Sequence, residues 1–333
     1  MQDITRQDFF VESEPGVSIF VREGRPRGSH SNNNAPILLL HGARVPGVAS
    51  FDLQVPNGSL AAVLAEAGYS VYIMDARGYG YSTRSPEMSQ SPEANPPLVR
   101  SIEVVNDITA VVNWIRERQS VEQVALLGWA TGGHWCGYYA TLYPDYVSHL
   151  VLDNTLYGGS EEHSRIGHGS SLENPERPGH FNMKEFGAYR FSTAESLFGS
   201  WDGSIPLDDK SRWRDPKIAA AYAEAALASD STSQSRMPPS FRAPSGALED
   251  SFYMATGHQF WDASLIYARV LIIVSERDFW SRPADRKTLE QHLTHAKDVK
   301  TVLIPDATHY VHLDRPEHGR ERFIQEILTF FKE

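Results

Sequence analysis

Residues 126–136 read LLGWATGGHWC. An apolar, β-rich run enters two clusters of glycine, and the chain leaves as GGHWCGYYATLYP, a pattern suited to a helix. This predicts a buried strand, a tight turn and a helix packed closely behind it. Gly128 and Gly132 allow strand and helix to pass with no Cβ between them, and Gly133 tightens the packing further. The same event recurs along the chain. ILLL (37–40), YSVYIMD (69–75), VALLGW (124–129), HLVLD (149–153), RVLIIVS (269–275) and VKTVLI (299–304) are short and apolar. Such runs mark strands covered on both faces. Helical patterns separate them. In 101–118, Ile102, Val105, Ile108, Val112 and Ile115 mark the expected buried face. Another helix is expected in RPEHGRERFIQEILTFFKE at the end. Alternating strands and helices imply a mostly parallel sheet with helices on both faces. DFFVES and VSIFVR, joined by EPG, add an antiparallel edge hairpin, making eight strands. GRPRGSHSNNNAP (24–36) reads as a loop.

The alternation breaks at 155–262. A core of 1–154 and 263–333 is therefore expected, with a helical lid, 155–262, inserted after the sixth strand. Its many aromatics, Trp201, Trp213, Tyr222 and Phe241 among them, should mostly form the lid's own core, with a few lining a cavity beneath it. Asp215-Pro216 marks a helix start. SDSTSQSRMPPSFRAPSG (229–246) reads as a mobile linker rich in Ser and Pro.

Gly128-Trp129-Ala130-Thr131-Gly132 has the context of a G-x-S-x-G nucleophile elbow, with alanine at the centre. Two further residues fit a triad. Asp278 follows the strand in LIIVSERDFWS, and His309 follows the last strand in VLIPDATHYVH. Both then lie at the carboxyl edge of the sheet, where sites in open parallel sheets form. The chain order, nucleophile position, acid, His, is the one such elbows use. Taken singly, Asp278 reads equally as a helix N-cap and His309 as a loop histidine. His312 and Asp153 are their rivals. LLLHGARVPG suggests an oxyanion hole from the amides of Ala43 and Thr131. Trp129, Phe279 and His41 are candidates for the substrate walls, although His41 also reads as structural. Arg44 is expected to be solvated. DARGYGYS (75–82) lacks P-loop spacing and reads as a turn in which Asp75 and Arg77 tie strands together.

The whole chain has 333 residues, with 31 Lys plus Arg against 42 Asp plus Glu, a net charge of −11. With no long basic run, nucleic acid and anionic membranes are poor partners. The single cysteine, Cys136, excludes an intrachain disulfide and reads as core; a cytoplasmic location is compatible. No signal peptide or membrane-spanning run is evident. No cofactor is implied, and no His, Cys and carboxylate cluster at ligand spacing suggests a metal.

HGA (41–43), DARGYGYS, the elbow, Asp278 and His309 together resemble the α/β-hydrolase superfamily over nearly the whole chain. The elbow helix and large insertion are similar to those of serine-dependent macrolide esterases. The resemblance implies an α/β-hydrolase fold and a serine hydrolase of esters or lactones, with macrolide antibiotics as the finer expectation. Acidic lid residues, Glu161, Glu162, Asp202, Asp208 and Asp209, suggest either a cationic ligand or a solvated face. Three accounts of Ala130 stand: a Ser→Ala variant made to trap substrate, a natural pseudo-enzyme that only binds, or lyase or oxygenase chemistry using His309 and Asp278 alone. The first is favoured, because a chain that had abandoned nucleophilic catalysis has little reason to keep the other parts together. Preferred substrate and oligomeric state, monomer or dimer, are not encoded legibly.

Overall fold

The computed structural model describes residues 4–28 and 34–333. Eight strands form one sheet: β1 (Ile4–Glu14), β2 (Val17–Pro26), β3 (Ile37–Leu40), β4 (Val71–Met74), β5 (Val124–Trp129), β6 (Val147–Asp153), β9 (Arg269–Arg277) and β10 (Asp298–Thr308). Between β6 and β9 lies a separate antiparallel pair, β7 (Tyr189–Thr193) and β8 (Ser240–Pro244). The sheet order is β1-β2-β4-β3-β5-β6-β9-β10, and every pairing from β4 onward is parallel. β1 and β2 form the antiparallel edge. β2 runs on to Pro26, so the loop expected at 24–36 starts only after it; residues 29–33 of that loop lie outside the described residues.

The continuous apolar runs are explained by period-two alternation over two covered faces. Ile37, Leu39, Val71, Ile73, Ala125 and Leu127 enter one core cluster. Their chain neighbours Leu38, Leu40, Tyr72, Met74, Val124 and Leu126 enter the other. The helix Ser101–Gln119 covers the second face with Val105, Ile108, Val112 and Ile115. Ile102 departs from expectation and is 47% exposed. At about 100° per residue, two successive steps of three carry it roughly 120° from the centre of the stripe, and Val104 and Val111 fill the face instead.

The inserted stretch divides its aromatics between the core of the sheet and a core of its own. Trp201, Trp213, Tyr222 and Phe241 join the cluster that holds Val151 and Leu271 of the sheet. A smaller cluster, with Phe181 and Phe252, is local. Asp215 caps the helix Pro216–Ala228 by accepting from the Lys217 amide. The linker expected at 229–246 is ordered: it contains β8 and is organised by a buried carboxylate. Asp230 accepts from Arg242, Arg236 and Thr232. Buried charge of this kind must be paired, so Ser and Pro content alone misread the segment. Nor do Asp75 and Arg77 tie strands to each other. Asp75 accepts from the Gly47 and Tyr81 amides, while Arg77 joins Asp107 of the helix to Glu14 at the end of β1.

β3 fixes where a site can form. The chain leaves it for β4 on one side, and β5 lies on the other. Loops leaving β3 and β5 therefore diverge at their carboxyl ends and open a crevice there.

Candidate active site

Ala130 follows β5 and precedes the helix Thr131–Leu142, with φ 53 and ψ −118. A residue with a Cβ adopts such angles only under strain. The surroundings hold it there. Its amide donates to the Asp153 carbonyl at 2.8 Å, and its carbonyl accepts from Gly133 at 3.1 Å. A Cβ on Gly128 would collide with the backbone of Gly132 and Gly133, and one on Gly132 with the carbonyls of Leu40 and His41. The glycines let the helix start directly against β3 and β5.

His309 follows β10 and is 5% exposed. Its Nδ1 lies 2.6 Å from Asp278 Oδ1. The carboxylate thus favours the proton on Nδ1 and leaves Nε2 as the acceptor nitrogen. Asp278 is itself fixed by the Trp280 amide (3.0 Å), the Ser281 amide (2.7 Å) and the Ser281 hydroxyl (2.5 Å). It is both a cap-like acceptor and the imidazole's partner, so the two readings of this residue are not alternatives. The His309 carbonyl accepts from the Trp129 indole at 2.9 Å, which ties the histidine loop to the elbow strand.

Neither rival takes part in this pair. Asp153 is fully buried, and among the described residues neither side-chain oxygen has a hydrogen-bond partner. Burial, with the charge of Asp278 nearby, pushes its pKa well above the carboxylate range. His312 is buried edge-on against Trp129, with ring centroids 4.7 Å apart, and burial lowers its pKa to about 3. Its carbonyl accepts from Arg320 at the start of the last helix. Cys136 is buried in the second core cluster.

Ala130, Thr131, Gly42, Ala43, Trp129, Phe279 and His309 line one cavity of about 170 Å³. The Phe279 and His309 ring centroids are 4.7 Å apart. The Ala43 carbonyl accepts from the Tyr79 hydroxyl (3.1 Å) and from Arg190 (3.0 Å), which orients the loop peptide. His41 is not a wall of this cavity. It is buried behind it, accepting from the Ala76 amide at Nε2 and facing the Gly42 carbonyl from Nδ1, and burial lowers its pKa. Arg44 is not simply solvated either: it donates to Ser192 and Ser196 and lines the cavity. A polar cleft of about 580 Å³ adjoins, sharing Ser200 and Phe279 with the cavity and lined also by Glu162, His163 and Arg165. Of the acidic residues in the insert, Glu162 lines this cleft, whereas Asp202 pairs with Arg214, Asp209 accepts from Ser211, and neither lines the cavity or the cleft.

Sequence reasoning missed Ser281, Tyr79 and Arg190. The D-x-x-S spacing of Asp278 and Ser281 is a legible turn signal. Arg190 carries no local signal, because its partner Ala43 is 147 residues away.

Among the described residues no helix is long and apolar enough to cross a membrane. A family model described as the alpha/beta hydrolase fold matches residues 35–316. The chain is 24% identical over 290 residues to a proline iminopeptidase, PfmaB, of Pestalotiopsis fici, covering 85% of this chain and 88% of the relative. It is 26% identical over 129 residues to human lipase member M, but that match spans only 38% of this chain and 30% of the lipase. Among solved structures, a thermophilic esterase from Thermogutta terrifontis superposes with a TM-score of 0.58 at 18% identity, covering 98% of each chain. The eight-stranded sheet, the strained turn after β5 and the match over most of the chain agree: this protein belongs to the α/β-hydrolase family.

Proposed function

We propose that this site is that of a serine-type hydrolase of carboxylic esters or lactones, with residue 130 as the nucleophile position. The observation that carries this reading is the His309–Asp278 pair at 2.6 Å, whose imidazole lines the same small cavity as the strained turn at Ala130. With serine at 130, His309 Nε2 takes the hydroxyl proton as the oxygen attacks the carbonyl carbon. Asp278 holds the imidazole and stabilises its charged form. The amides of Ala43 and Thr131 receive the oxyanion. His309 then returns its proton to the leaving alcohol, activates a water, and the acyl group departs as the acid.

Alanine cannot form the acyl bond, so the chain with Ala130 binds substrate and turns it over very poorly. The cavity admits the reacting edge of an ester. The adjoining cleft has room for the remainder of a large lactone, which supports a macrolactone as the finer reading of the substrate. Ala130→Ser is the test. Assayed on p-nitrophenyl esters, simple lactones and macrolides, the serine form is expected to gain on the order of 10⁴-fold or more in kcat. No gain in hydrolysis of any ester or lactone would overturn the reading.

A further inference from the structure

The charged lining of the catalytic cavity is one-sided. It consists of Arg44 and Arg190, and among the described residues neither guanidinium is in an ion pair. Arg44 donates only to neutral groups, the hydroxyls of Ser192 and Ser196 and the Ser196 carbonyl. Arg190 donates through Nη2 to the Ala43 carbonyl, while its buried Nη1 has no partner among the described residues. Burial and the neighbouring Arg44 lower the Arg190 pKa to about 10, so it is still charged at neutral pH. β7 arranges the pair. Arg190 and Ser192 stand two residues apart, on one face of the strand, and Ser192 accepts from Arg44 Nε at 3.0 Å. Two like charges beside a low-dielectric cavity are costly unless an anion joins them. The apolar walls, Trp129, Phe279, Trp280 and Leu248, cannot supply one, and burial raises the pKa of the lining Tyr222 and Tyr310, which keeps both neutral.

We propose that Arg44 and Arg190 form a carboxylate subsite in the wall of the catalytic cavity, beside the oxyanion loop. The carboxylate is either carried by the substrate in addition to its ester or is the acid that hydrolysis releases. The guanidinium fork matches both oxygens of such a group. This inference rests on the hydrolase reading, but it is tested by binding alone, so it can fail while Ala130→Ser succeeds.

The chain with Ala130 is titrated calorimetrically with monomethyl glutarate and its neutral counterpart dimethyl glutarate, and with butyrate and 1-butanol. A charge-assisted pair of bonds is expected to favour the anion about tenfold or more. Arg44→Gln and Arg190→Gln should each reduce that preference, and Arg190→Lys should restore part of it. Thermal midpoints and circular dichroism of both glutamine variants that match the parent's show that the fold itself persists. Preference for the monoester assigns the group to the substrate, and preference for butyrate alone assigns it to the product. Equal or absent binding of all four compounds overturns the proposal, as does a preference that survives both glutamine substitutions together.

Discussion

Asp230→Asn tests whether the segment after the helix Pro216–Ala228 is held by one carboxylate. Asp230 is buried and accepts from Arg242 Nε (2.8 Å), Arg242 Nη2 (2.8 Å), Arg236 Nη2 (2.9 Å), Thr232 Oγ1 (2.8 Å), and the amides of Thr232 (3.0 Å) and Arg242 (3.0 Å). Burial raises its pKa, but the bonds from Arg242 and Thr232 outweigh that and hold it below the ordinary range. Its stabilisation is therefore full above the unfolded value of 3.8 and is lost as pH falls through the lower folded value. Breaking a fully buried pair costs about 3–5 kcal/mol. Arg236 is partly exposed, and asparagine keeps one acceptor oxygen, so about 2–3 kcal/mol is the expected loss here. The loss should be regional. β8 pairs with β7, and β7 carries Arg190 and Ser192 over the cavity, so amide hydrogen exchange should quicken along Ser240–Pro244 and Tyr189–Thr193 before the main sheet responds. Chemical denaturation at pH 7 gives the total, and exchange mass spectrometry gives the location. A loss below about 0.5 kcal/mol, the range of ordinary surface changes, with unaltered protection of both strands, would refute the reasoning.

In the serine form, Asp278→Asn should keep the fold, since the amide oxygen can still accept from the Ser281 amide and hydroxyl, yet its NH2 replaces the oxygen that faces His309 and the Trp280 amide, and so lowers kcat by about 10⁴ by favouring the wrong His309 tautomer. A kcat within tenfold of the serine form's would mean that another group orients the imidazole. His134 is buried between the Trp261 indole (3.0 Å) and the Ser101 hydroxyl (2.9 Å), and burial pushes its pKa from 6.5 to about 4. The unfolded chain takes up the proton first, so stability falls as pH drops from 6.5 towards 4, by up to about 1.4 kcal/mol per pH unit from this group. His134→Gln should flatten that part of the profile in urea titrations; an identical slope in both proteins would count against it.

Particular residues show where the sequence was enough. The alternation Ile37, Leu38, Leu39, Leu40 already requires two covered faces, because period-two side chains leave no polar face for water. Gly128 and Gly132 around a non-glycine centre require close backbone contact, a local steric matter. The step pattern over 101–118 located its helix but misplaced Ile102, since a stripe chosen by residue type drifts where steps of three repeat. Segment 229–246 was misread because its order comes from Asp230 meeting Arg236 and Arg242, and composition does not reveal such a pairing.

The sequence by itself determined the parallel sheet, the strained turn at Ala130 and the candidacy of Asp278 and His309, since each depends on local periodicity, local sterics or position at a strand's end. Only the tertiary structure decided that His309 pairs with Asp278 and not Asp153, that His41 stands behind the cavity, and that Arg44 and Arg190 share its wall. Those outcomes depend on distances between groups far apart in the chain. Burial and desolvation, which set the cost of each unpaired charge, exist only once the elements have packed.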